Sequence, residues 1–372
     1  MRFALTETQQ EMRELLAEFL RRSGDLAEAR RSLDGAASYS DTVWDSMASD
    51  LGLLGVAIPE AAGGIGLSDV ELALCLEELG AVVYPGPFLA TAGFAALALL
   101  EVADEAGLEK VQVPLSGIAA GGTAALAMEL GEATGEVGGH AIARLEAGQW
   151  FLSGDFAGVL QADQVDHIAV TATIPDGTTA LFWTATSTAS VELASGIDPT
   201  RGVCRVSLSQ APAEYLAPAD ATTLHRILLR MRVALAAECL GAAQRCLDMA
   251  TSYAKVRNQF GRPIGQFQAI KHRLADLLVE VEMARSCVYA AACHVASRSW
   301  SEAELSAPAA LAAATSALSR AARDSVQVHG GIAFTWEHDA HLFVRRGVAS
   351  QSLLGRASAL HRDVYDVAGL AG

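Results

Sequence analysis

The chain has 372 residues, 51% of them hydrophobic and 19% charged, with a net charge of −16. That balance excludes intrinsic disorder and leaves room for two or three domains around a large core. The acidic excess, with no basic face in the sequence, argues against nucleic acid or any other phosphate-backbone partner.

MRFALTETQQEMRELL turns polar at once, so it lacks the apolar core of a signal peptide and the chain reads as cytoplasmic. Thr6 to Gln9 forms a T-x-x-Q capping box, and Met12, Leu15, Leu16, Phe19 and Leu20 then recur at helical spacing, which predicts a first helix. Gly63, Gly64 and Gly66 make a Gly-rich turn. That cluster alone is weak evidence for phosphate binding, because a tight turn between helices explains it equally well. The longest apolar run, around Ala90 to Leu100, is too short to span a bilayer and reads as a core helix. Six scattered cysteines, Cys75, Cys204, Cys239, Cys246, Cys287 and Cys293, show no C-x-x-C and read as small buried hydrophobes.

From about Pro114 the segments ALAMEL, AIARLEA, WFLSGDFAGV, HIAVTATI, TALFWTA, VELAS and CRVSLS are short, partly alternating and separated by turn residues, which predicts a β-domain. Helices return after Ala217-Pro218 and run to the end. Within them, SYAKVRNQFGRPIGQFQAIKHRLADLLVEVE (252–282) opens as a helix, breaks and restarts. Gly261 permits the turn and Pro263 removes a donor, so the first helix should end near Phe260. Ile270, Leu274, Leu277, Leu278 and Val281 mark one face of the second. The intervening loop carries Arg257, Gln259, Arg262 and Gln268, and a planar guanidinium among backbone donors suits a phosphate or diphosphate.

These residues resemble the acyl-CoA dehydrogenases, whose matching loop reads R-x-x-F-G-x-x-I-x-x-x-Q. PE-x-x-GG-x-G and EELG after Trp44 match that family's N-terminal domain in order. A second motif, QVHGGIAFTWEHDAHLFVRR (327–346), matches Q-x-x-G-G-x-G-(F/Y)-x-x-E at Gln327, Gly330, Gly331, Phe334 and Glu337. It departs at Ala333 (a glycine in the family), Leu342 (usually basic) and Arg346 (an acid). His329, His338, Asp339 and His341 invite a metal reading, but the family has no metal here and none is expected. The resemblance implies a mostly α fold with a middle β-domain: an N-terminal helical domain (1–113), a barrel-like middle domain (114–217) and a C-terminal four-helix bundle (218–372). It also implies FAD, with its diphosphate end met from a neighbouring subunit by Arg257, Gln259, Phe260 and Gln268 and its adenine end by Gln327, Gly330 and Gly331. An acyl-CoA thioester substrate and an electron-transfer acceptor protein are implied by the same likeness.

Other parts of the family pattern are missing. Its middle-domain loop with Gly-Ser-Asp corresponds here to ALAMELGEATGEVGG, and Leu160 and Gln161 stand where a Ser/Thr-Asn pair packs on the flavin ring. Dehydrogenation needs a carboxylate to take the α-proton while hydride leaves the β-carbon. The family places that Glu at one of two positions, occupied here by Leu354 and by Met231, which precedes Arg232. Glu238 lies two helical turns from Met231 and is the nearest substitute, although pairing with Arg230 or Arg232 would explain it better. DPTRG (198–202) resembles the actinobacterial branch in which two unlike subunits form an α2β2 tetramer, one of them having lost flavin site and base. The catalytic residue therefore stays unassigned, and three readings stay open. One is the degenerate subunit of a heteromeric acyl-CoA dehydrogenase acting on a bulky, for instance steroid-derived, CoA thioester. The others are a homomeric dehydrogenase or oxidase with Glu238 as a displaced base, and a non-catalytic structural or CoA-binding homologue.

Overall fold

The computed structural model describes residues 5–33, 39–128 and 140–369. Helix α1 (Glu7–Arg22) begins at the expected capping box, with the Thr6 hydroxyl accepting from the Gln9 N–H and the Gln9 side chain accepting from the Thr6 N–H. There follow α2 (Ala27–Leu33), α3 (Asp41–Asp45), α4 (Asp69–Ala81), α5 (Ala96–Ala106) and α6 (Gln112–Ala119). The apolar run that opens at Leu89 is buried throughout, first as a π-helical turn and then as α5.

Strands β1 (Ala124–Ala127), β2 (His140–Glu146), β3 (Gln149–Leu160), β4 (His167–Thr173), β5 (Thr179–Ala185), β6 (Ala189–Leu193) and β7 (Val203–Pro218) form the middle domain. Five of them run β4-β2-β3-β7-β5, and β5 pairs back to β4, which closes a barrel; β1 adds in parallel to β4 and β6 to β7. Alternation explains the closure, because one side-chain row of each strand, such as Leu152, Phe156, Val170, Phe182 and Val206, fills a core separate from that of the helices.

The C-terminal domain contains α7 (Ala221–Val256), a two-residue hairpin of β8 (Asn258–Gln259) and β9 (Arg262–Pro263), α8 (Gln268–Ala296), α9 (Trp300–His329), α10 (Ala340–Ser350) and α11 (Ala357–Val367). Helix α7 stops at Val256, earlier than Phe260, because Arg257 is already extended and the chain turns through Phe260 (φ 52°) and Gly261 (φ 77°). Two consecutive positive φ values are the signature of a type I′ hairpin turn. Cys75, Cys204, Cys239 and Cys246 are buried, whereas Cys287 and Cys293 are only half-buried, since α8 buries one narrow face. No described helix is long and apolar enough to cross a membrane.

Helix α4 crosses α7 at backbone contact. A Cβ at Gly80 would lie 2.0 Å from the Glu238 carbonyl oxygen, and one at Gly241 would lie 1.7 Å from that of Glu77. The opposed obstacles are main-chain atoms, so no side-chain rotation relieves them. Gly241→Ala should therefore destabilise the protein by about 3 kcal/mol or more, at the upper end of overpacking costs, read as a lower thermal midpoint in calorimetry.

Candidate functional site

The two motif segments come together at one end of the C-terminal domain. Ala250 and Ala254 of α7 and Val328 of α9 form a small separate core, with Tyr253, Ile264, Ile270 and Leu274 packed around it. The Tyr253 and His329 rings sit 4.5 Å apart, and the Arg257 carbonyl accepts from the Ile264 N–H at 2.8 Å. This core holds the hairpin and the Gly330-Gly331 turn as neighbours, and Leu274 links it to the main core.

On that frame Arg257, Gln259, Phe260, Gln268, Gln327 and Gly331 are all exposed, and Phe260 is 92% exposed. The side chains of Arg257, Gln259, Gln268 and Gln327 have no hydrogen-bond partner among the described residues. Arg262 differs, because its guanidinium stacks 4.3 Å over the Phe267 ring. Gly330 takes φ 66° with ψ −141°, open in practice only to glycine, yet a Cβ at Gly330 or Gly331 would meet nothing within 4 Å. Packing within the chain does not require these glycines, and the space beside them suits close backbone approach by something outside it. A free guanidinium, three amides and the uncapped N-terminus of the 29-residue α8 are the donor set that a diphosphate takes. The His329 and His338 rings meet at a tilt with centroids 4.3 Å apart, and His329 Nδ1 bonds the Ser325 carbonyl. Burial, with His329 beside it, lowers the pKa of His338.

The other half of the family pattern falls on a cavity of about 400 Å³ where the helical domains meet the barrel. Phe94, Leu126, Leu160, Val203 and Leu353 give it an apolar wall, and both base positions, Met231 and Leu354, face it. Leu354 sits at φ 58° with its carbonyl held by Arg232 at 3.1 Å. Gln161 gives its amide to the Pro85 carbonyl at 2.7 Å and its N–H to the Gly202 carbonyl at 2.6 Å, so both donor groups are engaged within the chain. The loop matching the family's Gly-Ser-Asp lies outside the described residues. The motif surface thus offers the kind of donors a diphosphate takes, whereas among the described residues the cavity wall carries neither the flavin-facing hydroxyl-amide pair nor a carboxylate.

Glu238 is not paired with Arg230 or Arg232, as the sequence suggested. Arg230 turns to Asp69 at 2.9 Å and to Glu101, and Arg232 takes Asp363 at 2.8 Å. Glu238 instead holds Arg201 with one oxygen and Arg346 with the other, the latter at 2.6 Å. Arg346 also donates to Asp198 at 2.7 Å and to the Thr200 hydroxyl at 2.8 Å, while Arg201 donates to Ser350 at 2.9 Å. All four ionic residues are at least 95% buried. Burial alone would raise the Asp198 pKa, but Arg346 and Arg201 more than offset it and hold the carboxyl below the usual range. Sequence reasoning missed this group because its members are up to 148 residues apart, although two of its elements stand out in the sequence: DPTRG as a resemblance to one branch of the family, and an arginine at 346 in place of an acid.

The chain matches the acyl-CoA dehydrogenase N-terminal domain over residues 6–117 and the acyl-CoA dehydrogenase C-terminal domain over residues 222–364. It is 36% identical to acyl-CoA dehydrogenase IpdE2 of Mycobacterium tuberculosis over 348 residues, 94% of this chain and 93% of that protein. Among solved structures it is similar to a Tcur3481-Tcur3483 steroid ACAD variant, with 30% identity, a TM-score of 0.84 and 98% of both chains covered. Butyryl-CoA dehydrogenase from Megasphaera elsdenii, 22% identical with a TM-score of 0.86 over 99% of this chain and 100% of that one, shares the fold. The protein belongs to the acyl-CoA dehydrogenase family, FAD-dependent oxidoreductases acting on CH–CH bonds.

Proposed function

We propose that this chain is the base-less subunit of a heteromeric acyl-CoA dehydrogenase, paired as α2β2 with a paralogous subunit that carries the catalytic Glu. The observation that carries the reading is that Met231 and Leu354 line one largely apolar cavity, with both oxygens of Glu238 committed to buried arginines. Neither apolar side chain can take a proton, and a carboxylate held between two guanidiniums has no oxygen free to do so. The relative named Tcur3481-Tcur3483 steroid ACAD supports both the two-component assembly and a bulky, steroid-derived acyl group. An electron-transfer protein would reoxidise the flavin.

When bound, FAD supplies hydride acceptance at the substrate β-carbon. This chain's part is to complete the partner's site from outside. Arg257 would donate charge-assisted hydrogen bonds to the diphosphate, and Gln259, Gln268 and the α8 N-terminus would satisfy its remaining oxygens. Phe260 would cover the diphosphate end, and Gln327 with the open Gly330-Gly331 turn would approach the adenine end. The displaced-base reading has no geometric support, since Glu238 is locked, and a purely structural role leaves the exposed donor set unexplained.

Flavin content tests the proposal directly. Reconstituted with its partner, the chain should give a heterotetramer carrying two FAD; a yellow homotetramer with four FAD from this chain alone would overturn it. Arg257→Ala in the complex should weaken FAD binding roughly ten- to a hundredfold, the scale of a lost charge-assisted hydrogen bond, without lowering the thermal midpoint of the apoprotein; undiminished flavin content would remove Arg257 from the site. Glu238→Gln should cost about 3–5 kcal/mol of stability, because it leaves two buried guanidiniums sharing one carboxylate, yet leave kcat intact where the complex stays folded. A collapse of kcat with stability preserved would make Glu238 the base. In the parent chain the Asp198 contribution is present above the ordinary carboxylate pKa and is lost as pH falls through the depressed folded value, so acid lability should set in below about pH 4.

A further inference from the structure

We infer that Arg30, on α2 of the N-terminal domain, is a positioning residue for the second cofactor motif, which it holds in its binding shape from a distance in sequence of some three hundred residues. The inference rests on the cross-subunit reading of the two motifs given above. All three nitrogens of the guanidinium are spent on one short turn: Nε donates to the Asp339 carboxylate at 2.6 Å, Nη1 to the Trp336 carbonyl at 2.9 Å and Nη2 to the Glu337 carbonyl at 2.7 Å. That turn joins the Gly330–Phe334 segment to α10, and it contains no strand or helix of its own. Its internal bonds are local, from the Thr335 N–H to the Ile332 carbonyl and from the Ala340 N–H to His338 Nδ1. Among the described residues, Arg30 makes the side-chain hydrogen bonds that tie it to another domain.

The platform under Arg30 is firm. Leu26 and Ala29 are buried in the main core, Asp25 pairs with Arg245 of α7 at 2.5 Å, and the buried Glu28 carboxylate accepts the Ser40 N–H at 2.8 Å. What the turn presents is an aromatic surface: Trp336 is 68% exposed and Phe334 82% exposed. The Trp336 ring is pinned on one side by the Arg345 guanidinium, 5.5 Å from its centroid, and on another by the edge of His341 at 5.0 Å. An exposed indole fixed through both its carbonyl and its ring is preorganised, and fixing it beforehand removes an ordering cost from whatever stacks on it. Phe334 and Trp336 flank Thr335 directly after the glycine turn, so the ligand they suit is a flat, sequence-adjacent group at that turn, the adenylate end of FAD. Arg30 itself touches none of it.

FAD and FMN separate this role from general support, because FMN has the flavin ring and one phosphate but no adenylate. Their dissociation constants are to be measured by flavin fluorescence on the complex with the partner, or on the homotetramer should the chain bind FAD alone. Arg30→Ala should weaken FAD about tenfold, the scale of losing hydrogen bonds to a charged group, and leave FMN unchanged. Arg30→Lys, which can keep Asp339 but not both carbonyls, should fall between, as should Asp339→Asn. Trp336→Ala should produce the same FAD-selective loss, and adding Arg30→Ala to it should bring little more. Should Arg30→Ala not fold, the Arg30→Lys and Asp339→Asn variants decide. Equal weakening of FAD and FMN, or unchanged FAD affinity in folded variants, overturns the inference. Wild-type flavin stoichiometry is read in the same titrations, so failure of the two-subunit reading is recognised separately.

Discussion

Two buried arginines and two buried acids hold this molecule in register. Asp198, Arg346, Glu238 and Arg201 come from the loop before β7, from α10 and from α7, and they cross-link the barrel to the helical bundle at the rear of the large cavity. The group is neutral as a whole, and each member is tolerable only because the others are present: removing ions of this size from water costs several kcal/mol each, recovered only by close pairing with satisfied hydrogen bonds. Thr200 and Ser350 supply those remaining hydrogen bonds. A group so interdependent favours geometry over stability. It sets where the 194–197 loop closes the cavity, and it takes from Glu238 any freedom to act as an acid or base.

With Glu238 immobilised, both positions at which the family keeps its base, Met231 and Leu354, are apolar. Met231 and Leu354 are both at least 95% buried and sit in contact with hydrocarbon neighbours, an arrangement that gains from burial what a carboxylate there would lose to desolvation. Arg232 and Gln161 point the same way. In this chain Arg232 spends its donors on the Leu354 carbonyl and Asp363, and Gln161 spends its amide on Pro85. Of the polar side chains that do line the cavity, Arg201 is spent on Glu238 and Ser350, and Ser352 on the Ala349 carbonyl.

How much of this was legible depends on the range of the interaction. The capping box at Thr6, the β-domain strands and the chain break after α7 are local, and composition and spacing place them to within a few residues. The two loops of the motif surface could be placed by their resemblance to a family, and the structure brings them together over Ala250, Ala254 and Val328. The partners of Glu238 could not be found. Arg230 and Arg232 are near it on the same helix, but a helix turns each of them toward a different neighbour, and the true partners come from loops and helices whose approach only the tertiary fold determines. The same holds for Arg30 and Asp339, which nothing in either local sequence connects.

The hairpin at Phe260 shows what such a chain retains. A bulky residue at φ 52°, 92% exposed, carries a backbone cost of order 1–3 kcal/mol and gains nothing inside the chain except an edge contact with Phe267 at 6.1 Å. Asparagine or glycine would make the same type I′ turn at lower cost. Strain held at the surface, beside a guanidinium and amides without partners in the chain, is compensated only when something outside the chain meets it. Exposed Leu278, Val279 and Met283 on the adjoining α8 extend that surface with apolar area of the kind that subunit contacts bury. On the proposed reading, the described interior carries no free base, while the surface keeps, at a cost in stability, a shape suited to completing a neighbour.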